Sequence, residues 1–407
     1  MRSSKNAAPT GHRSRGTFSL MRDVIVLSSD RVALVREALA QALRATGPAV
    51  AVVAPGSDTS WVPVQVHDDI AVLLETSGSG SAPKRVALSA VALMANARAS
   101  QGRLGGPGRW VLALPAHFIG GLQVLIRSLD ADREPVVLTR ESFNTAALVE
   151  AIMSISDDER IYVSLVPVQL GRVMEHVEHD PASMAIFARL SAILVGGQRT
   201  SPALLERARA YGLPVVTTYG STETAGGCVY DGSPLADVRV NVRPDGRIEI
   251  GGPVLATEFV GEPDLTAQRF SRAEGDDTRW YLTDDLGEYL DGVLSVQGRA
   301  DRVLISGGIK VNLDLVEEVT ESIRECAHAV AVSLPDEEWG ERVGLVAELD
   351  PAETGSDPRA LSDLMKAIIR DELGVAAVPR DVRLVEHLPR LSSGKPDRLV
   401  CAALFVD

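Results

Sequence analysis

Apolar residues recur along the chain in two alternating patterns. Short apolar runs such as Val24–Leu27 and Ile70–Leu74 predict buried strands, and apolar positions three to four residues apart over 31–45 predict a helix. Strands separated by helices favour parallel pairing, with helices on both faces of the sheet. The same alternation predicts strands at 111–114, 136–138, 161–166, 193–195 and 215–217, helices at 89–98 and 120–129, and helix starts at Pro167 and Pro202 after the N-cap Ser201.

The pattern changes twice towards the C-terminus. Between about 228 and 300, turns at Pro244–Gly246 and Asp291–Gly292 predict two β-hairpins. After Arg299 the pattern is that of a small α+β unit, with predicted helices at 313–326 and 359–373 and predicted strands at 329–334, 343–349 and 381–385.

These patterns predict an α/β fold. We expect a large N-terminal domain (21–300) with helix-flanked, mostly parallel sheets and a β-rich subdomain at about 228–300. A small α+β C-terminal domain (301–407) follows, with the boundary near 298–302.

Residues 1–20 differ from the rest of the chain. They carry basic residues but no acidic ones, and they lack the apolar core of a secretion signal. We expect a disordered tail, with Met21 as an alternative start of the protein. A targeting segment is the weaker alternative.

The charge balance excludes some classes of partner. The 407 residues include 41 Lys and Arg against 55 Asp and Glu, a formal charge of −14. Nucleic acids and anionic membranes require a basic face, so neither is expected as a main partner. No apolar run reaches the ~20 residues of a membrane helix. Three widely spaced cysteines suggest neither a disulfide framework nor a zinc motif, which favours a cytoplasmic location.

A loop of small hydroxyl and glycine residues follows the strand predicted at 70–74. Glycines allow a tight turn that directs several backbone N–H groups to one point, and the hydroxyls and a lysine add donors and charge. Such a loop suits a phosphate group, although its spacing is neither that of a P-loop nor that of a dinucleotide fingerprint. A plain flexible connection is the alternative. The residues are Thr76, Ser77, Gly78, Ser79, Gly80, Ser81 and Lys84.

Four further segments carry polar groups that suit a ligand. Tyr219–Glu223 follows a predicted strand and offers an aromatic face, two hydroxyls and a carboxylate suited to Mg²⁺. Asp285 can accept both hydroxyls of a ribose. Arg299 and Asp301, with glycines after them, suit a hinge at the domain boundary, and Lys395 lies in a loop near the C-terminus. Taken singly, each segment has an ordinary alternative as a polar turn or a solvated surface.

In this order and spacing, the five segments resemble the acyl-adenylate-forming superfamily of acyl- and aryl-CoA ligases, luciferases and peptide-synthetase adenylation domains. The resemblance extends from about Ile70 to Arg398. It implies that 76–84 is the phosphate loop, that Thr222 contacts the α-phosphate and that Glu223 binds Mg²⁺.

The resemblance also assigns the other residues of the nucleotide site. Asp285 and Arg299 would hold the ribose, Asp301 would be the hinge of a small domain that rotates, and Lys395 would be the catalytic lysine of adenylation. The remaining implied nucleotide-binding residues are Gly196 and Gly197 beside adenine, and Tyr219, Gly220 and Ser221.

Within the superfamily the chain is most similar to the o-succinylbenzoate–CoA ligases of menaquinone biosynthesis, in their compact actinobacterial form. The short N-terminal part and the segment from Ser164 to Arg172 carry this similarity. His117, Phe118 and Ser164 are then expected at the acyl substrate. Arg172 is the candidate partner of its second carboxylate, and a surface helix arginine is the alternative.

Three departures from the superfamily pattern stand out. Gly80 and Ser81 exchange a hydroxyl and a glycine within the phosphate loop, and Phe118 holds a place usually taken by Ile or Val. Asp284 replaces the glycine of a Thr-Gly-Asp triplet. These changes bear on ATP affinity and pocket shape rather than on the fold.

The implied reaction is the ATP-dependent activation of a carboxylic acid as acyl-AMP, followed by transfer to CoA, with Mg²⁺ as the metal. The expected partners are therefore a small-molecule carboxylic acid, ATP and CoA, and a homodimer is one open alternative for the assembly. Another aryl- or acyl-CoA ligase and a non-catalytic nucleotide-binding homologue are the alternative functions. An enzyme that loads a carrier protein is a further one.

Overall fold

The first part of the chain alternates strands and helices, as predicted. The structure is a computed structural model that describes residues 20–76, 83–138, 143–272, 275, 277–349, 357–391 and 395–405. The strands are β1 (Met21–Ser28), β2 (Ala49–Val53), β3 (Gln65–His67), β4 (Ile70–Glu75), β5 (Arg85–Ser89), β6 (Arg109–Leu112), β7 (Val136–Val137), β8 (Ile161–Leu165), β9 (Leu190–Val195), β10 (Val215–Ser221), β11 (Gly226–Tyr230) and β12 (Ser233–Pro234). The helices are α1 (Val32–Leu43), α2 (Ala90–Arg103), α3 (Ile119–Asp130), α4 (Thr145–Met153), α5 (Pro167–His179), α6 (Met184–Phe187) and α7 (Pro202–Ala210).

The later part begins with a β-rich region and ends in a small α+β unit. Its strands are β13 (Arg239–Val242), β14 (Arg247–Gly251), β15 (Glu258–Phe259), β16 (Phe270–Arg272), β17 (Arg279–Leu290), β18 (Val293–Arg299), β19 (Val303–Ser306), β20 (Ile309–Asn312), β21 (Cys326–Asp336), β22 (Gly340–Leu349) and β23 (Asp381–Val385). Its helices are α8 (Pro263–Arg269), α9 (Leu313–Glu321), α10 (Pro358–Leu373) and α11 (Arg398–Ala403).

Two sheets with parallel strands at their centres form the body of the large domain. One has the strand order β15-β5-β4-β2-β1-β3 and the other β12-β11-β10-β9-β8-β6-β7. Strands β1, β2 and β4 pair in parallel, as do β7, β6, β8, β9 and β10. Antiparallel strands extend both sheets, with β3, β5 and β15 on the first sheet and β11 and β12 on the second. The α/β fold class is therefore confirmed.

The helices pack their apolar residues against these sheets. Val35 and Leu39 of α1 are fully buried, and so are Leu122 and Ile126 of α3, one helical turn apart. Strand β2, which the sequence analysis did not identify, is buried along its whole length in the middle of the first sheet. Burial on both faces gives a continuous apolar run and removes the alternation that identifies a half-exposed strand.

Two more sheets complete the chain. The β-rich region forms the sheet β13-β14-β17-β16 with β18 paired to β17, so both predicted hairpins are confirmed. The small unit forms the sheet β20-β19-β22-β21 with β23 paired to β22, and α9 and α10 pack on it. It has its own apolar core.

Some predicted boundaries were wrong. The helix predicted at 313–326 ends at Glu321, and Cys326 instead begins β21, where it pairs with Leu349. The helix predicted at 89–98 continues to Arg103. Ser201 is the N-cap residue of α7, but its side chain makes no capping hydrogen bond.

Candidate active site

Four of the five predicted ligand-binding segments line one cleft. It lies where β10 leaves the second sheet and approaches β17 of the β-rich region. The lining residues are Lys84, Tyr219, Gly220, Ser221, Glu223, Thr224, Ile250, Tyr281, Thr283, Asp284, Asp285 and Arg299.

The end of β10 presents three of these residues to the cleft. Gly220 has φ +154°, and a Cβ there would lie 2.3 Å from the carbonyl oxygen of Gly226, so only glycine fits. The Ser221 hydroxyl is buried and has no hydrogen-bond partner among the described residues. An orphaned donor of this kind is the group that a bound anion would satisfy.

A buried polar layer holds the turn behind this strand end. Asn96 of α2 donates hydrogen bonds to the carbonyl oxygens of Thr224 and Gly227, at 3.3 and 2.9 Å. Gln123 of α3 donates to the carbonyl oxygen of Ala225 at 2.7 Å. Both side chains are buried, so the turn that carries Thr222 and Glu223 is fixed from the inside of the domain.

Tyr219 and Asp285 form a direct contact across the cleft. The Tyr219 hydroxyl donates to Asp285 Oδ2 at 2.8 Å, although the residues are 66 positions apart. Burial raises the pKa of both groups, that of Tyr219 well above its ordinary value. The Tyr219 hydroxyl and the Arg299 guanidinium, whose Nη1 lies 3.7 Å from Asp285 Oδ1, partly offset the effect of burial on the pKa of Asp285.

Arg299 also connects the cleft to the predicted hinge. Its guanidinium pairs with both oxygens of Asp301 at 2.8 and 2.6 Å, which raises the arginine pKa further. Asp301 is about half exposed and lies in a short 3₁₀ turn, 300–302, between the β-rich region and the small domain. Its role as the hinge remains a prediction.

Lys395 of the small domain is within electrostatic range of the cleft, although it is not among the described residues that line it. Burial lowers the pKa of Lys395, and Arg299 lowers it further, while the carboxylates of Asp285 and Glu223 act in the opposite direction. Arg398, three positions later, pairs with Glu317 of α9 and anchors the segment.

The ends of the predicted phosphate loop are fixed together. The Thr76 N–H donates to the carbonyl oxygen of Lys84 at 2.7 Å, and the Lys84 N–H donates to Thr76 Oγ1 at 3.2 Å. The Lys84 side chain reaches the cleft, 3.6 Å from Asp284. The intervening predicted residues Ser77, Gly78, Ser79, Gly80 and Ser81 lie outside the described residues.

Glu223 offers an oxygen ligand for Mg²⁺. It is 6% exposed and lines the cleft. Among the described residues no group of three or more His, Cys, Asp or Glu could hold a metal ion. Mg²⁺ commonly takes one or two protein carboxylates and completes its shell with water and substrate phosphates, so a single glutamate fits a metal that arrives with the nucleotide.

Several predicted residues do not line the cleft. Thr222 follows Ser221 in a short 3₁₀ turn. Gly196 packs against Thr218, and a Cβ at Gly196 would lie 2.2 Å from the Thr218 hydroxyl oxygen. Gly197 has φ +79°. The roles of all three remain predictions.

The predicted acyl-site residues are spread over three elements. His117 Nδ1 lies 2.7 Å from Ser29 Oγ, its ring contacts that of Phe118 at 4.2 Å, and burial lowers its pKa. Ser164 is buried in β8. Arg172 lies on the exposed face of α5, where it donates to the carbonyl oxygen of Phe143 at 3.4 Å. The structure therefore does not bring Arg172 into the cleft.

The sequence analysis missed two arginines of this site. Arg247 and Arg269 both contact Asp284, at 3.3 and 2.7 Å. Neither belongs to a recognisable motif, because one lies in a hairpin strand and the other at the end of a short helix. The one sequence signal that could have found them is Asp284, because a carboxylate that replaces the glycine of the superfamily pattern requires cationic partners.

Comparison with known proteins shows the family of the chain. Residues 14–260 match the family described as AMP-binding enzyme, and residues 315–395 match the AMP-binding enzyme C-terminal domain. The chain belongs to the AMP-binding enzyme family. This AMP-binding enzyme is 38% identical over 398 residues to a probable 2-succinylbenzoate–CoA ligase of Mycobacterium tuberculosis (strain H37Rv), covering 95% of the chain and 98% of the relative.

Other relatives are more distant. A 2-succinylbenzoate–CoA ligase of Staphylococcus aureus (strain MSSA476) is 28% identical over 81% of the chain and 66% of the relative. The amide bond synthetase McbA of Marinactinospora thermotolerans has a TM-score of 0.71 at 26% identity, covering 94% of the AMP-binding enzyme and 80% of that chain. The o-succinylbenzoate CoA synthetase of Bacillus subtilis, in complex with its acyl-adenylate intermediate, has the same TM-score at 22% identity, over 92% and 87%, which shows the shared fold.

Proposed function

We propose that the chain is an ATP-dependent acid–CoA ligase that activates o-succinylbenzoate as acyl-AMP and transfers it to CoA, a step of menaquinone biosynthesis. The substrate follows from the mycobacterial relative, whose similarity extends over 95% of the chain. The chemistry is supported by one structural observation, which is that Lys84, Glu223, Asp285 and Arg299 line one cleft. The charges of Asp285 and Glu223 also act on Lys395 of the small domain.

In the first half-reaction a carboxylate oxygen attacks the α-phosphorus of ATP, and the bond to the β-phosphate breaks to release pyrophosphate. Two anions must approach each other, so the protein has to position them and offset their charge. Lys395 supplies the charge from the small domain, and Lys84 supplies it at the β- and γ-phosphates. Glu223 would hold Mg²⁺, which would supply positive charge at the phosphates. Asp285 and Arg299 hold the ribose, and Tyr219 fixes Asp285.

In the second half-reaction the CoA thiolate attacks the acyl carbon, and AMP leaves. Lys395 has no triphosphate to neutralise in this step, so the small domain can withdraw it. We propose that the boundary near residue 300 and the hinge at Asp301 allow this rotation. The ion pair of Asp301 with Arg299 supports the assignment, because rotation at Asp301 would move Arg299, which we assign to the ribose.

Selection of a substrate with a second carboxylate requires a cationic partner. Arg172 remains our candidate, although its side chain is exposed and donates to the carbonyl oxygen of Phe143, outside the cleft. A hydrogen bond to a charged group contributes ~1.5–3 kcal/mol, so Arg172→Ala would lower kcat/KM for o-succinylbenzoate about 10- to 150-fold. Simple benzoates would lose little, and an equal loss for both would remove Arg172 from this role.

The function is tested by product analysis of the full chain with ATP, Mg²⁺ and a panel of carboxylic acids. We expect o-succinylbenzoate to support AMP formation and, when CoA is present, a thioester. Thioester formation only from another acid would assign a different CoA ligase, and capture by an amine or a carrier protein instead of CoA would assign a different acceptor. No AMP with any acid would favour a non-catalytic homologue.

Two observations bear on the cellular setting. All three cysteines are free and buried, which supports our proposal of a reducing, cytoplasmic location. No helix of the described part of the chain is long and apolar enough to cross a membrane. A homodimer remains a prediction that the mass of the protein in solution would test.

A further inference from the structure

One carboxylate in the cleft is surrounded by four cationic side chains. Asp284 Oδ1 lies 2.7 Å from Arg269 and 3.3 Å from Arg247, and Asp284 Oδ2 lies 3.6 Å from Lys84 and 3.8 Å from Arg299. Its side chain is only 19% exposed and lines the cleft beside Asp285. No other described carboxylate of the cleft has as many cationic neighbours within 4 Å.

The two oxygens of Asp284 have different kinds of partner. Arg247 also donates to the Thr283 carbonyl oxygen at 3.0 and 2.6 Å, and Arg269 donates to that of Leu282 at 3.4 Å. These arginines hold the β17 backbone itself and therefore fix Asp284 Oδ1 in place. The longer distances at Oδ2 involve Lys84 and Arg299, the two cations that the proposed function assigns to the nucleotide.

The position of Asp284 creates a competition for Lys84. A lysine ammonium is a compact charge on a flexible stem, so it can turn from one anion to another. The triphosphate needs Lys84, and a carboxylate fixed 3.6 Å away both retains that lysine and repels the arriving phosphates. The pKa of Asp284 is lowered by Arg269, Lys84 and Arg299 against the opposing effect of burial, so it is an anion at neutral pH.

We propose that Asp284 is a resident anion of the cleft that competes with the β- and γ-phosphates for Lys84, and that it thereby weakens the binding of ATP and pyrophosphate. This inference rests on the proposed function, because it takes the ligand to be a nucleoside triphosphate. It assigns Asp284 a role in specificity, since AMP lacks the phosphates that would compete and should be bound almost as well without the carboxylate. The same competition assists the departure of pyrophosphate after adenylation.

A role as a metal ligand predicts the opposite effect. If Asp284 held Mg²⁺, its removal would weaken ATP binding and raise the Mg²⁺ requirement. Its surroundings argue against this role, because both oxygens already face cations and a further cation would meet four like charges.

Calorimetric titration of the full-length protein with ATP, pyrophosphate and AMP tests the inference. Asp284→Asn keeps the shape and the contact to Arg269 while removing the charge, and Asp284→Gly removes the side chain. We expect both variants to bind ATP and pyrophosphate about fivefold more tightly, or ~1 kcal/mol. AMP affinity should stay within about twofold. Damage to the fold would weaken all three ligands, so tighter binding cannot arise from it.

Two controls make the result specific. Asp291→Asn removes the same charge at the exposed tip of the β17–β18 turn, where φ is +51° and asparagine is well tolerated, and it should change no affinity. In a Lys84→Met background, Asp284→Asn should lose most of its gain, because the two residues act on the same phosphates. Unchanged or weaker ATP binding in both Asp284 variants would overturn the inference. A wild-type protein that binds no ATP would instead refute the proposed function.

Discussion

Replacement of Lys395 by alanine should separate the two half-reactions. Lys395 is partly buried, and the carboxylates of Asp285 and Glu223 act on its charge. Its ammonium offsets charge only while a carboxylate approaches the triphosphate. Loss of one such stabilising group typically costs 10²–10³ in rate, about 2.7–4 kcal/mol. We therefore expect Lys395→Ala to slow adenylate formation by a factor of at least about 100.

Single-turnover kinetics of each half-reaction provide the assay. The rate of CoA capture of presynthesised acyl-adenylate should change by less than about fivefold, or ~1 kcal/mol. Lys310→Ala is a matched control, because Lys310 is an exposed lysine of the same domain in β20 and should affect neither step. Equal slowing of both steps by Lys395→Ala would mean that the lysine holds structure or CoA, and would refute the account of an alternating small domain.

Three further predictions concern Tyr219 in the cleft, the charge of Lys395, and the contact of Arg199 with the small domain. Tyr219→Phe removes the 2.8 Å hydrogen bond to the partly buried Asp285, so KM for ATP should rise by about 10-fold or more in steady-state assays, the effect of ~1.5–3 kcal/mol. The pKa of Lys395 is lowered from 10.5, and the lysine acts in its charged form. The pH profile of kcat/KM for adenylation should therefore fall on the alkaline side with a midpoint below pH 10.5, while CoA capture shows no such limb. Arg199 of the large domain contacts the Asp314 carbonyl oxygen at 2.8 Å and Glu318 at 3.1 Å in the small domain, so Arg199→Ala should slow adenylation severalfold without slowing CoA capture, as measured by single-turnover kinetics.

The sequence predicted those parts of the site that short segments contain. Tyr219–Glu223 could be placed at the edge of the sheet because it follows a buried strand, and in the structure β10 ends at Ser221. Thr76 and Lys84 could be assigned to one loop because only small residues separate them. The hairpins could be predicted from their turns, since turn residues act locally.

Contacts between distant segments could not be predicted in this way. The pairing of Tyr219 with Asp285 depends on how the β-rich region packs against β10, which no local pattern encodes. Arg247 and Arg269 are ordinary surface residue types until β14 and α8 bring them to Asp284. The exposure of Arg172 depends on which face of α5 is buried, and Val173 and Met174 occupy that face.

The fate of the carboxylate oxygen tests the central claim most directly. The substrate is o-succinylbenzoate with both oxygens of the reacting carboxylate labelled with ¹⁸O, converted in the presence of ATP, Mg²⁺ and CoA. One labelled oxygen becomes the bridge of the acyl-adenylate and leaves with AMP, and the other stays in the thioester. Mass spectrometry of the products should therefore show one ¹⁸O in AMP and none in pyrophosphate. Unlabelled AMP, or label in inorganic phosphate with ADP as the nucleotide product, would contradict an acyl-adenylate mechanism for this chain.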